Sequence, residues 1–458
     1  MDADRELLRR TAEIASDFLE TLDSRRIPPA ADFRAARERL TRPLPEGPTD
    51  PLRVIEELAA DAEAGLVGSQ SGRFFGFVIG GALPAPLAAD WLAATWDQNT
   101  GLAEVTPSTS AIEDIAGRWA AELLGLPAGV SFAFVTGCQM AHVTALAAAR
   151  HGVYERHGWD LPQRGLAGAP PLRVVVGAAR HVTITRALRL LGIGRDQEVV
   201  IPADAQGRMR TDLLTEALDP AAPTIVCAQV GEVNTGAADD LTAVTSAATA
   251  CGAWVHVDGA FGLWAAASPE QRHLVAGHDR ADSWATDAHK WLNVPYDSGI
   301  AFCAHPAAHT AAMEYAAPYL TVSDEPAARD PAGYSPEFSR RARGVAVYAV
   351  IRQLGRSGIA ELIAGCCRHA RSIAEGLAAV PGCTILNDVA LNQVLLRFEE
   401  PDRTKRILAR IHEDGDVYPS HTMWQNQPAI RVSVSNWRTG DSDVERTVAV
   451  FRRAAAAG

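Results

Sequence analysis

Lysine is almost absent from this chain. Two of the 458 residues are lysine, Lys290 and Lys405, and arginine carries the rest of the positive charge. Arginine stays protonated, whereas lysine can lose its proton and attack a carbonyl. A lysine in a chain that otherwise uses arginine therefore reads as a candidate nucleophile. Positive charge is scarce as a whole: the formal net charge is -12. With no basic run to offset it, nucleic acid is excluded as a partner. No apolar run reaches the ~18 residues of a membrane span. The nearest, AWVHVDGAFGLWAAA, is broken by His256 and Asp258, so no membrane partner is expected. The first residues, MDADRELLRR, lack the apolar stretch of a secretory signal. The 7 cysteines are odd in number, irregularly spaced and free of any CxxC pair. That pattern argues against a disulfide framework or a zinc site, so the expectation is a reduced, cytoplasmic chain with no metal. Internal repeats are missing too, and the Ala-rich end is the only biased segment.

What remains is an ordinary soluble composition, 47% hydrophobic, long enough for a large domain with a smaller one attached. RELLRRTAEIASDFLETLDSRR puts Leu7, Ile14, Phe18 and Leu22 on one helical stripe, which fits a core-facing helix or one packed on a partner. A Pro-rich connector follows to about residue 50. From Thr106 the chain alternates helical stretches with short β-branched runs: SFAFV, LRVVVG, EVVIP, TIVCAQV, AWVHVDG, SWATD and GIAFCA. This is the pattern of a mostly parallel α/β sheet covered by helices. After RRARGVAVYAVIRQLGRSG it changes to a smaller α+β unit with strands in LNQVLLRF and AIRVSV. The expected division is an N-terminal helical segment (1–50), a large domain (51–357) and a small C-terminal domain (358–458).

Four features surround Lys290, which lies in WATDAHKWLNVPYDSG. FVTGCQMAHVTAL is a strand, a Thr136-Gly137 turn and a helix, whose free N–H groups can hold a phosphate. VVVGAARHVTITRAL places His181 after a strand. VHVDGAFG ends a strand in Asp258. A further strand, SWATD, leads to the lysine. Each alone has a plainer reading, as a turn, a helix cap or a turn-forming acid. Together they suit a pyridine aldehyde with a phosphate tail. Such a cofactor needs a lysine for the Schiff base, an acid at the ring nitrogen, a phosphate cradle and a group stacked on the ring. In an open α/β sheet these groups collect at the carboxyl ends of the strands.

With those motifs in view, the chain resembles the group II pyridoxal-phosphate-dependent amino-acid decarboxylases, the family of aromatic-L-amino-acid, histidine and glutamate decarboxylases. DAHKWLNVPYDSG matches the family's His-Lys-Trp box and VHVDGAFG its Asp box. The resemblance runs from about Phe74 to Phe451. It implies an aspartate-aminotransferase-like fold (fold type I), pyridoxal 5'-phosphate as cofactor, and a homodimer with active sites at the interface. It also implies roles. Lys290 binds the cofactor covalently. His289, Gly137, Cys138 and Gln139 serve the phosphate. Asp258 pairs with the pyridinium nitrogen, Ala260 lies under the ring and His181 stacks over it. Tyr319, in APYLTVSDEPAARD, matches a loop tyrosine that reaches the partner's site and is expected to return the proton to Cα. Phe77, Asn99 and Arg431 fall on the substrate side.

The chain departs from the family in three places that matter. The phosphate turn reads TGCQMA, with Gln139 in place of a hydroxyl. QVGEVNTGAADD replaces a Gly-Thr-Thr pattern, so Asn234 is expected to take over a hydrogen bond to the cofactor's phenolic oxygen. Around Phe77 the wall is less aromatic than in the aromatic-acid enzymes, which leaves polar, aliphatic and aromatic substrates open. Three readings stand at this point: decarboxylation to an amine; another outcome with the same cofactor (aldehyde formation, carbon–carbon cleavage or transamination); and a non-catalytic homologue.

Overall fold

The fold is given by a computed structural model, which describes residues 2–313 and 329–457. Twelve strands form two sheets among the described residues. β1 (Phe74–Phe75) belongs to the smaller one. The larger holds β2 (Ser131–Val135), β3 (Arg173–Gly177), β4 (Glu198–Ile201), β5 (Thr224–Gln229), β6 (Trp254–Asp258), β7 (Ser283–Asp287) and β8 (Gly299–Cys303). β9 (Cys383–Ile385), β10 (Gln393–Phe398), β11 (Tyr418–Trp424) and β12 (Gln427–Ser433) complete the smaller sheet.

The seven runs expected as strands are the seven strands of the large sheet, in the order β2-β8-β7-β6-β5-β3-β4. β8 is antiparallel to both its neighbours, and the remaining pairs are parallel. Every residue of β2, β6, β7 and β8 is buried. Helices on both faces are the reason these strands read as unbroken apolar runs rather than alternating ones. The helix Cys138–Arg156 is rich in alanine and lies close to the sheet; a Cβ on its Gly152 would come within 2.8 Å of the Trp254 ring.

Two features depart from the expected division. The helix Gly344–Ala378 passes through the boundary at residue 358 and kinks at Gly355, whose φ of +60° suits glycine. The smaller sheet, ordered β1-β11-β12-β10-β9, takes β1 from far upstream, paired parallel to β11. Residues 74–75 had been assigned to the large domain; two residues carry no periodicity that could have placed them otherwise. The N-terminal helix Asp2–Glu20 is tied in by Arg73. This buried guanidinium donates to the carbonyls of Leu22, Asp23 and Arg25 and pairs with Asp416 at 2.6 Å.

Candidate active site

The carboxyl ends of β2, β3, β5, β6 and β7 open onto one cavity of about 280 Å³. Gly137, Cys138, Gln139, His181, Asp258, Ala260, His289 and Lys290 all line it. Its wall also includes Val78, Thr183, Gln229, Val233, Phe261 and Asp287. Sequence reasoning had singled out none of these six. Val78 arrives because the chain leaving β1 presses against the lysine turn: a Cβ on Gly80 would stand 1.9 Å from the Lys290 carbonyl oxygen, so only glycine fits there.

Lys290 sits in the turn after β7. Its Nζ is 3.0 Å from Asp287 Oδ2. Burial alone would lower the amine's pKa, but Asp287, through charge and hydrogen bond, together with Cys138 and Asp258 outweighs burial and holds it above the ordinary lysine value. Asp287 Oδ1 accepts the Cys138 N–H at 2.5 Å. An acid three residues before the lysine, in a tight turn, was the available sign of this pair.

Asp258 is buried at the end of β6. It does what a turn-forming acid does, accepting the Ala260 N–H at 3.2 Å, and it also faces the cavity. Burial would push its pKa up. His142 first, then His181 and Lys290, outweigh this and hold the group below the ordinary carboxylate range. His181 is likewise both cap and cavity residue. Its Nδ1 accepts the Thr183 N–H at 3.4 Å at the start of the helix Val182–Leu190, which leaves the ring hydrogen on Nε2. Burial lowers its pKa, so the ring is neutral at neutral pH. His289 accepts the Ser298 N–H through Nδ1 at 3.1 Å and stacks on Tyr296 with centroids 4.3 Å apart.

The remaining expected residues lie elsewhere. Asn234 does not line the cavity. Its Nδ2 donates to Glu232 at 2.9 Å and its Oδ1 accepts from Thr422 at 2.6 Å. Glu232 folds this loop on itself by also accepting the N–H groups of Asn234 and Thr235. The amide is therefore spent on bracing, and Val233 and Gln229 face the cavity instead. Arg431 stands behind that wall, donating to the Val233 carbonyl at 3.0 Å. Phe77 is exposed, with a φ of +56°, and its N–H donates to Ser420 at 2.6 Å. Asn99 accepts the Arg340 N–H at 3.0 Å, away from the cavity. Tyr319 lies outside the described residues. Although no metal was expected, one trio among the described residues has metal-ligand spacing: Cys138, His142 and Asp258 offer atoms within 4.8 Å of one another.

The residues fit a pyridoxal phosphate at the ring end: an amine, a buried acid, a neutral histidine and a small residue share one cavity. At the other end, a 19-residue helix starts at Cys138 with its first N–H groups near the wall. Gly137 keeps that turn close to His289: a Cβ would stand 3.2 Å from His289 Cε1, so the ring would have to give way by a few tenths of an ångström. An anionic tail would share the Cys138 N–H with Asp287.

Comparison with known proteins agrees with this assembly. Residues 35–399 match the family described as "Pyridoxal-dependent decarboxylase conserved domain". The chain is similar to tryptophan decarboxylase 1 of Oryza sativa subsp. japonica, 27% identical over 94% of this chain and 90% of that protein. It is 32% identical to the cysteine sulfinic acid decarboxylase of Mus musculus over 48% of this chain and 45% of that protein. The solved structure of Oryza sativa TDC with PLP and tryptamine superposes with a TM-score of 0.93 at 23% identity, covering 100% of this chain and 98% of that one. Fold, site and family match agree, and the chain belongs to the pyridoxal-dependent decarboxylases, enzymes that remove the carboxylate of an amino acid with pyridoxal phosphate.

Proposed function

We propose that this enzyme converts an L-amino acid to its primary amine and carbon dioxide, with Lys290 as the covalent anchor of the cofactor. The observation that carries the reading is the meeting of Lys290, Asp258 and His181, from three separate strand ends, in one small cavity. When bound, the cofactor supplies a sink for the electron pair left at Cα as the carboxylate departs. Asp258, buried and ionised, keeps a proton at the ring nitrogen. His181 offers its Nε2–H to that face of the cavity. The amides at the start of the helix Cys138–Arg156 hold the anionic end. Val78, Val233, Ala260 and Phe261 give apolar walls that keep water from the reacting centre. Tyr319 is the proposed proton donor to Cα.

The enzyme acts as a homodimer in the cytoplasm. In support, Trp91, Leu92 and Trp96 are exposed on one helix. An open groove of about 660 Å³ runs beside them, lined by Ile14, Phe18, Leu58 and Trp91. All seven cysteines are free thiols, and no described helix is long and apolar enough to cross a membrane.

The test is incubation with the standard and common non-standard amino acids, with mass spectrometry of products and measurement of released carbon dioxide. An amine and carbon dioxide in equal amounts are expected. A keto acid without carbon dioxide, or an aldehyde with peroxide, would replace the reading with another reaction of the same cofactor. Tyr319→Phe should lower the rate of amine formation at least tenfold, roughly the loss expected of a general acid; an unchanged rate would move the proton donor to another residue.

A further inference from the structure

Behind Asp258, on the side away from the lysine, lies a line of buried side chains that the reaction described above does not use. His142 Nε2 is 3.5 Å from Asp258 Oδ1. His142 Nδ1 is 2.9 Å from His256 Nε2. His256 Nδ1 is 3.0 Å from Ser283 Oγ, which in turn accepts the Trp254 indole N–H at 2.9 Å. Trp254, Ser283, His256 and His142 are fully buried. The line crosses three elements: β6 supplies Trp254 and His256, β7 supplies Ser283, and the helix Cys138–Arg156 supplies His142.

Its direction follows from chemistry. An indole N–H can only donate, so Ser283 Oγ is an acceptor toward Trp254 and its own hydrogen is available for His256 Nδ1. A neutral imidazole that accepts at one nitrogen carries its hydrogen on the other. His256 therefore donates from Nε2 to His142 Nδ1, and His142 points Nε2–H at the space between Asp258 Oδ1 and Cys138 Sγ, which is 3.4 Å away. With both rings neutral, reversing the line would turn a bare nitrogen lone pair on a buried carboxylate, leaving both unsatisfied; the alternative that satisfies a reversed line is a doubly protonated His142, which donates at both nitrogens. In the forward direction every donor meets an acceptor. Burial and the neighbouring His142 hold the His256 pKa down to about 3, consistent with a neutral ring. The Cys138 thiol stays protonated, its pKa pushed up by burial and by Asp287 and Asp258.

We infer that His142 and His256 are positioning residues: through a one-way hydrogen-bond line from Trp254 and Ser283 they orient Asp258 and keep it a carboxylate toward the cofactor's ring nitrogen. The inference rests on the reading that Asp258 faces that nitrogen. It also accounts for the Cys138, His142 and Asp258 trio without a metal.

Two measurements test it. In the cofactor-free protein, ring nitrogen NMR of labelled histidine should show both His142 and His256 as neutral Nε2–H tautomers at neutral pH. An Nδ1–H tautomer or a doubly protonated ring at either position would overturn the line, whatever the cofactor does. In the holoenzyme, pyridoxal phosphate labelled with ¹⁵N in the ring reports whether that nitrogen is protonated. His142→Leu, checked for folding by its thermal transition, should shift the signal toward the unprotonated form. It should also lower kcat by about tenfold to a hundredfold, the range usual for groups that orient another from behind, with KM changed much less. His142→Gln keeps a donor at the Nε2 position and should restore most of both. If His142→Leu binds the cofactor with an unchanged ring signal and kcat, the positioning role is wrong while the proposed function stands. If the wild-type protein takes up no cofactor, the proposed function fails and the tautomers alone decide the line.

Discussion

Replacing Asp287 by Asn should make Lys290 a better nucleophile near neutral pH. The pair stands at 3.0 Å, and the Lys290 side chain is 23% exposed. Two unit charges at that distance interact by about 6 kcal/mol at an effective dielectric constant of ~20. Water reaching the partly exposed lysine and the residual dipole of the amide reduce what is lost on substitution without reversing it. The sign is set by what remains. Burial already pulls the amine's pKa down, and Asp287 is the main group opposing it. Without that carboxylate the neutral amine persists to lower pH. The assay is the capture of pyridoxal, which lacks the phosphate, so changes at the helix end do not enter. Initial capture rates across pH, trapped with borohydride and located on Lys290 by peptide mass spectrometry, give a profile. Its midpoint should move to lower pH in Asp287→Asn, the direction set by losing the carboxylate that opposes burial. A midpoint that stays in place, or moves upward, would show that burial and Asp287 do not compete for this amine.

Further outcomes can be checked directly. Lys290→Ala should abolish steady-state turnover, whereas Lys405→Ala, at an exposed helix position 3.4 Å from Asp402, should leave kcat and KM unchanged. Glu113 and Arg340 form a fully buried two-pronged pair at 2.8 and 3.0 Å, so Glu113→Gln should cost about 3–5 kcal/mol in urea unfolding; a loss under ~0.5 kcal/mol would refute an isolated charge there. Acid should weaken the fold. His256 and His309 have folded pKa values held down to about 3 and about 4, so their contributions are present above pH 6.5 and are lost as pH falls. Asp239, raised to about 6 by burial, works the other way, its contribution being lost as pH rises through 6. Between pH 6 and 4 these three groups together bind two protons in the unfolded chain against one in the folded, and their share of the stability should drop by about 1.4 kcal/mol per pH unit. Flat or rising stability over that interval would contradict these three environments.

Much of this molecule could be read from its residues, and the parts that could not share a cause. The large sheet was legible because strands covered on both faces become short β-branched runs. In the smaller sheet, β11 reads YPSHTMW, a polar run containing proline, and gives no such signal. The site was found through scarcity and order: a lone lysine, then an acid and a histidine at strand ends. His142 was missed because, in an alanine-rich helix, nothing local says which way a histidine points. Its partner His256 is more than a hundred residues away. The partners of Asn234 were illegible for the converse reason: its loop is closed by its own neighbour Glu232, and sequence position alone cannot show that the amide is engaged there.

The pairing of β1 with β11 has a consequence in time. Phe74 lies beside Tyr418, so a residue made earlier in synthesis waits for one made much later. Until then the segment carrying Val78 and Gly80 has no sheet to hold it, and the lysine turn lacks its packing partner. The β1 edge of the smaller sheet can therefore form only once β11 has been made, however early β1 and the lysine turn emerge.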